Sequence, residues 1–238
     1  MARNGHTAGG CAEPIAGLSA MVAPMRNVAI SAVLFFMLAF VGCGGTSDTA
    51  DSGPGSTTDT GIAPAPSTFQ VQFETTAGSF VVTAHRDWAP NGVDRFYQLV
   101  TSHYYDDTRI FRVLTGFVAQ FGLNGDPTVT AMYTHSTIPA DAVAQHNTRG
   151  TLSYAMSGTN TASRTTQIFV NLADNSGGLD AMGFAPFAEV TSGMSVVDHF
   201  YAGYMDMPMQ RNIQETGNSY LDTTFPMLTH ITSAHVLP

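Results

Sequence analysis

Residues 69–238 are predicted to form a mostly β domain, a closed or nearly closed β-barrel with helical caps. Three observations predict this. Short apolar runs, several of them alternating with a period of two, recur between turn signals. Only two stretches carry helical spacing, and they stand apart, as caps would. The composition, 44% hydrophobic and 11% charged, supplies a real core and is unlike that of a disordered chain. With its ends set aside, a chain of 238 residues suits one domain. No internal repeat is visible.

The elements follow in order. FQVQFETT at 69–76 alternates apolar and polar positions, Thr76-Ala77-Gly78 turns, and SFVVTAH at 79–85 returns as the second arm of a β-hairpin. DWAPNGVDRFYQLVTSHYY, 87–105, reads as a helix. Asp87 is the candidate cap, Pro90 suits a first turn, and Val93, Phe96, Tyr97 and Val100 repeat at helical spacing. Strands then return at RIFRVL (109–114), FVAQF (117–121), GTLSYAM (150–156), QIFVNLA (167–173) and FAEV (187–190). MSVVDHFY at 194–201 is a second short helix, and HITSAHVLP at 230–238 is the last strand.

The front of the chain has a different character. Arg26 precedes an apolar stretch from Val28 to Val41, followed by a small residue and a cysteine. A charged start, a short apolar run and a small-residue cleavage point make a secretory signal. The run is shorter than the ~20 residues a spanning helix needs. Phe40-Val41-Gly42-Cys43 resembles a bacterial lipobox with Phe in place of the usual Leu, which makes Cys43 the acylated N-terminus of the mature protein. The alternative is an ordinary signal peptide with an incidental cysteine. Met25 is a natural start for this signal, leaving residues 1–24 as an over-long gene start or an extended leader. Residues 1–42 are thus extension and signal. Residues 43–68, rich in Gly, Ser, Thr, Asp, Ala and Pro, are a linker that cannot bury enough apolar area to order itself. As a random coil it spans about 25–30 Å. The expected location is the bacterial periplasm, anchored by lipid alone. Gly44, rather than the Asp associated with inner-membrane retention, points to the outer membrane.

Charge and cysteine usage exclude several classes. The formal charge is −9, with nine Lys and Arg in total, all of them Arg. An acidic chain without basic clusters is a poor nucleic-acid binder. Without Lys there is no Schiff-base or P-loop chemistry. Both cysteines, Cys11 and Cys43, precede the domain, which therefore has neither a disulfide nor a Cys-ligated metal. Eight histidines are scattered, among them His135, His146, His230 and His235, with no zinc spacing and no nucleophile-elbow motif. The acidic residues show no pairing that suggests glycosidase chemistry.

Residues 109–122, RIFRVLTGFVAQFG, raise a chemical question. Arg109 reads as the solvent-facing arginine. Arg112 and Gln120 sit in apolar strands, where burying such groups costs free energy unless they are paired or used. One answer is an ion pair of Arg112 with Asp106 or Asp107. The other is a role on substrate.

Three stretches together resemble the cyclophilins, the peptidyl-prolyl cis/trans isomerases: FRVLTGFVAQFG at 111–122, GTLSYAMSGTNTASRTTQIFVNLADN at 150–175 and LDAMGFAPFAEVTSGMSVVD at 179–198. Their order and rough spacing fit, as does the helix after Trp88-Ala89-Pro90, so the resemblance covers Phe69 to Pro238. It implies an eight-stranded antiparallel closed β-barrel capped by two α-helices, where periodicity alone says only mostly β. It also implies a substrate, a proline-containing polypeptide, and no cofactor or metal. A monomer is expected. Arg112 matches the family's catalytic arginine, with Phe117 and Gln120 beside it. Phe117, Val118, Phe169 and Leu179 match the proline pocket, Gln120 and Gln167 the two glutamines that hold the arginine and the substrate backbone, and Ala155 and Met156 the strand that binds the peptide main chain.

Some positions depart from the family pattern. Where relatives often have Gly-Gly-Asp after the first Gln, this chain has Phe121 and an insertion through Asp126. The aromatic at 121 is expected to alter the loop beside the active face. Gly178 replaces an aromatic, often Trp, that contacts cyclosporin in many members, so weak cyclosporin binding is expected. A His common near this segment is absent, with Gly183 and Phe184 nearby, and Ile168 replaces a common Phe. Two other classes compete with the enzyme: a non-catalytic proline-peptide-binding module or envelope chaperone, and a structural envelope lipoprotein.

Overall fold

The computed structural model describes residues 63–238. The signal, the lipobox with Cys43 and the linker through Ile62 lie outside the described residues. Packing begins before the first strand, where the buried Ala65 donates its N–H to Asp94 Oδ1 at 2.8 Å.

The expected hairpin forms. Strands β1 (Thr68–Thr75) and β2 (Gly78–His85) pair antiparallel from Thr68↔His85 to Thr75↔Gly78. Alternation turns Phe69, Val71 and Phe73 inward, and Phe73 stacks on Phe80 at 4.9 Å. Helix α1 (Pro90–Thr101) follows, burying Val93, Phe96, Leu99 and Val100, with Pro in its first turn as expected. Its cap differs from expectation. Ala89 occupies the cap position and caps nothing with its side chain. Asp141, 50 residues away, accepts the N–H of Asn91 at 3.0 Å, and its second oxygen accepts that of Gly92 at 2.9 Å. A helix start leaves N–H groups unpaired, and a carboxylate there is favoured by the helix dipole as well.

The predicted strand RIFRVL is two strands, β3 (Thr108–Arg109) and β4 (Arg112–Leu114). The break has a cause: Ile110 N–H donates to the Thr229 carbonyl at 2.9 Å, whereas Val113 N–H donates to the Met205 carbonyl at 3.1 Å. The chain changes partners between them. There follow β5 (Val118–Phe121), α2 (Pro127–Tyr133), β6 (Thr151–Tyr154), a short 3₁₀ turn at Thr161–Ser163, and β7 (Ile168–Asn171). After these come α3 (Ser176–Leu179), β8 (Pro186–Ser192), α4 (Met194–Val197), α5 (Gln210–Thr216), α6 (Asn218–Thr224) and β9 (His230–Val236).

The strands make one sheet of nine, in the order β3-β9-β1-β2-β8-β6-β7-β5-β4. The expected mostly β, antiparallel sheet with helices is what forms; it has nine strands rather than eight. The split of RIFRVL adds a strand, and among the described residues no ladder joins the edge strands β3 and β4. Those edges are nevertheless linked by Ile110 and Phe111 alone. Such a link reaches at most roughly 11 Å, so the open sheet curls round until its edges approach. Its main core includes Phe73, Phe96, Tyr105, Phe121 and Phe187. No helix among the described residues is long and apolar enough to cross a membrane.

Helices α5 and α6 were not expected; two caps were, and the described residues hold six α-helices. Phe111, Leu123, Ile213, Leu221, Phe225 and Leu228 form a second, separate core that seats this helix pair beside the start of β4. Arg109 corrects another expectation. It is buried, only 6% exposed, and its Nε and Nη2 both bond the Asp222 carboxylate of α6 at 2.9 Å, while Nη1 serves Asp107. The charge that reads as solvent-facing is the fastener of α6. Burial of a guanidinium is tolerable only with such pairing.

Candidate active site

Three adjacent strands present the site. Arg112 on β4 lies opposite Gln120 on β5, and Gln120 lies opposite Phe169 on β7. Directly opposed residues share a face, so the three side chains stand in one row. The period of two puts Val118 and Gln120 on this face and sends Ala119 and Phe121 into the main core. Phe121 therefore does not shape the active face. It packs edge-on against Phe73 and Tyr105, at 5.8 and 5.9 Å.

Arg112 is held by amides rather than by carboxylates. Its Nη1 donates to Gln120 Oε1 at 3.2 Å, and Gln120 Nε2 donates to Gln167 Oε1 at 2.9 Å. Gln120 is thereby oriented, since its oxygen faces the guanidinium only if its NH₂ faces Gln167. The guanidinium carbon lies 6.0 Å from the Phe117 ring centroid. Asp106 and Asp107 are engaged elsewhere: Asp106 accepts the Ala234 N–H, and Asp107 pairs with Arg109 and accepts from Asn218. Among the described residues no carboxylate forms an ion pair with Arg112. The guanidinium carries five N–H donors in a rigid fork, so donors remain for a ligand.

Beside it lies an apolar slot. Val118, Phe169 and Leu179 are its buried floor, with Phe117, Ala155 and Phe184 against them. Phe184 meets Phe169 edge-on at 5.6 Å. The loop that supplies Leu179 and Phe184 is clamped by Asn147, whose amide donates to Asp180 Oδ1 at 2.7 Å and to the Phe184 carbonyl at 2.8 Å. Burial pushes the Asp180 carboxyl up, but hydrogen bonds from Asn147 and His146 outweigh it, and the net shift is downward. The cavity measures about 550 Å³. Arg112, Phe117, Val118, Gln120, Ala155, Met156, Phe169 and Leu179 all line it. Gln167 lines an adjoining polar chamber that shares Gln120, Ala155 and Met156 with the first. All nine domain residues singled out in the sequence thus come together, while Cys43 lies outside the described residues. The Ala155 N–H is already bonded to the Gln167 carbonyl at 2.9 Å, so it is not free for a peptide.

Residues beyond these nine complete the lining. Phe111 and Phe184 line the cavity, and so do Asp206, Pro208, Met209, Gln210 and Arg211 from the turn into α5. Gln210 and Gln214 also close the polar chamber. Ile213 and Leu221, flanking Gly217, were the available signal of a helix pair here. Gly178 is open: a Cβ added there meets nothing within 4 Å.

An always-charged donor held by two amides thus stands beside an apolar slot. The family model for "Cyclophilin type peptidyl-prolyl cis-trans isomerase/CLD" matches residues 70–218, and the chain belongs to that family. Its activity is accordingly peptidyl-prolyl cis-trans isomerisation, EC 5.2.1.8. The chain is 38% identical over 136 residues to peptidyl-prolyl cis-trans isomerase B of Escherichia coli, an alignment covering 54% of this chain and 81% of that protein. It is 32% identical over 162 residues to the isomerase cyp18 of Streptomyces antibioticus, covering 61% and 95%. Among solved structures, a cyclophilin type isomerase of Cryptosporidium parvum superposes with a TM-score of 0.55 at 18% identity, covering 72% of this chain and 98% of that one. The same protein was also solved in the presence of the dipeptide Ala-Pro.

Proposed function

We propose that this isomerase acts on proline-containing segments of exported or envelope polypeptides and that Arg112 stabilises the twisted amide. The amide barrier is ~18–20 kcal/mol because resonance flattens the bond. On twisting, the nitrogen becomes pyramidal and regains its lone pair. A donor aimed at that nitrogen favours only the twisted form, which is differential binding of the transition state. The observation that carries this reading is the relay Gln167–Gln120–Arg112. It holds a guanidinium with spare donors at the wall of an apolar slot. Phe117, Val118, Phe169 and Leu179 take the ring, while Gln120 and Gln167 fix the guanidinium and the substrate backbone. The test is isomerisation of a short Xaa–Pro peptide by the full-length protein beside Arg112→Ala, with the outcome argued in the Discussion. A folded parent protein without acceleration would leave the peptide-binding module as the better reading.

The compartment belongs to the same proposal. The signal and the Val41-Gly42-Cys43 junction support acylation of Cys43, with the domain tethered as a monomer to the outer membrane by about 25–30 Å of linker. Growth with a fatty-acid analogue is expected to label the parent and not Cys43→Ala; an unlabelled parent would sink the anchor. The open space at Gly178 supports weak cyclosporin binding, and inhibition as strong as in Trp-bearing relatives would contradict it.

A further inference from the structure

The turn from Tyr204 to Gln210, YMDMPMQ, carries methionines at alternate positions. Met205, Met207 and Met209 are 58%, 62% and 60% exposed. A single exposed apolar residue needs no explanation, but three beside a ligand cavity do, since methionine ordinarily lies inside. Their backbone, in contrast, is anchored. The Met205 carbonyl accepts from Val113 on β4 at 3.1 Å, Met207 N–H donates to the Tyr204 carbonyl at 2.9 Å, and Met209 N–H donates to the Tyr220 hydroxyl at 3.3 Å. Met205 is held at φ +53°, a region L side chains rarely adopt. Tyr204 and Tyr220 in turn pack on Phe225 in the second core.

The main chain is therefore fixed while the thioethers stay in water. Unbranched, polarizable side chains of this kind adapt to apolar partners of varied shape. Of the three, Met209 lines the proline cavity, as do Asp206 and Pro208 between them, so Met205 and Met207 sit on the same turn that walls it. A peptide extends by ~3.3–3.6 Å per residue, so the residues next to a proline in the slot meet the wall that Met209 and its turn supply. Asp206 and Arg211, the latter tied to Glu215 at 2.8 Å, border it, an apolar centre with a polar edge as in protein interfaces.

We infer that Met205, Met207 and Met209 form an apolar lip of the proline slot that takes the aliphatic or aromatic side chains flanking the proline in an unfolded polypeptide. The inference rests on the isomerase reading of the cavity and specifies its substrate class. The lip selects segments that would be buried in a folded client.

The test uses the full-length protein and two Xaa–Pro peptides, one flanked by Leu and Phe, the other by Ser and Gly. In Met205→Gln/Met207→Gln, the ratio of kcat/KM for the apolar-flanked to the polar-flanked peptide is expected to fall about tenfold, chiefly through KM. Met205→Leu/Met207→Leu is expected to restore it. A ratio within about twofold of the parent's in the Gln variant, or no rescue by Leu, overturns the lip. If the parent accelerates neither peptide, the isomerase reading fails instead. The lip is then read by fluorescence anisotropy of the same peptides, and equal affinity of parent and Gln variant for the apolar-flanked one overturns it.

Discussion

Arg112→Ala is expected to lower kcat/KM for an Xaa–Pro peptide by about 10²–10³-fold, the scale lost when one preorganised donor to a transition state is removed. The loss should fall on kcat rather than KM, because the variant leaves the apolar floor of Val118, Phe169 and Leu179, the proposed seat of the ring, unchanged. The fold should survive. Arg112 is only partly buried and forms no ion pair among the described residues; its removal frees Gln120 Oε1, which water can reach through the cavity. Arg112→Lys should not restore the rate, since an ammonium lacks the planar fork that serves Gln120 and the substrate together. Gln120→Leu should be milder, because it removes the orientation of the donor and leaves the donor itself. Catalysis by Arg112→Ala at the parent's rate would disprove the assigned role.

The largest effect on stability is expected at Asp141. Its side chain is 1% exposed and meets Arg164, 3% exposed, at 3.1 Å. The same carboxylate caps α1 through Asn91 and Gly92. Asp141→Ala leaves a buried guanidinium without its carboxylate, with only the Pro139 carbonyl among the described residues still accepting from it, and leaves two helix N–H groups unpaired. Removing one member of a buried pair costs about 3–5 kcal/mol, a drop in Tm of the order of 10 °C for a domain of this size. Asp141→Asn, which keeps an acceptor for the helix but not the charge, should fall between. Urea unfolding reads the difference, and a loss below about 1 kcal/mol would show that Arg164 finds another partner. The effect should reach the site. Arg164 leads into Thr165 and Gln167, and Ile138 N–H is bonded to the Arg164 carbonyl at 3.0 Å. Loosening that stretch frees Gln167, then Gln120, then Arg112.

Much of the site was legible because the motifs that resemble the cyclophilins are short and contiguous. Arg112, Phe117, Val118 and Gln120 lie within nine residues, and Phe169 follows Gln167 by two. Strand alternation then assigns their faces, and the ladder Arg112↔Gln120↔Phe169 does the rest. Phe121 packs in the main core because alternation sends it to the opposite face from Gln120. The turn into α5 was missed for a reason of its own. Seven-residue helices without side-chain caps carry little signal of their own, since so short a helix is stabilised mainly by what it packs against.

The class of the protein and the residues that meet in the cleft were legible through the resemblance that its motifs carry. The hairpin, the first helix and the strand cores follow from periodicities set within one element. Tertiary structure alone decided how the sheet ends, what caps α1, and what walls the slot. Among the described residues no ladder joins the edge strands β3 and β4, and Ile110 and Val113 donate instead to distant carbonyls, at Thr229 and Met205. Asp141 rather than Asp87 caps the helix, and Arg109 is buried because Asp222 comes to it across 113 residues of chain. Each of these is a pairing between groups far apart in sequence. Whether a charge faces water or a partner depends on which distant segment arrives beside it, and no local pattern records that.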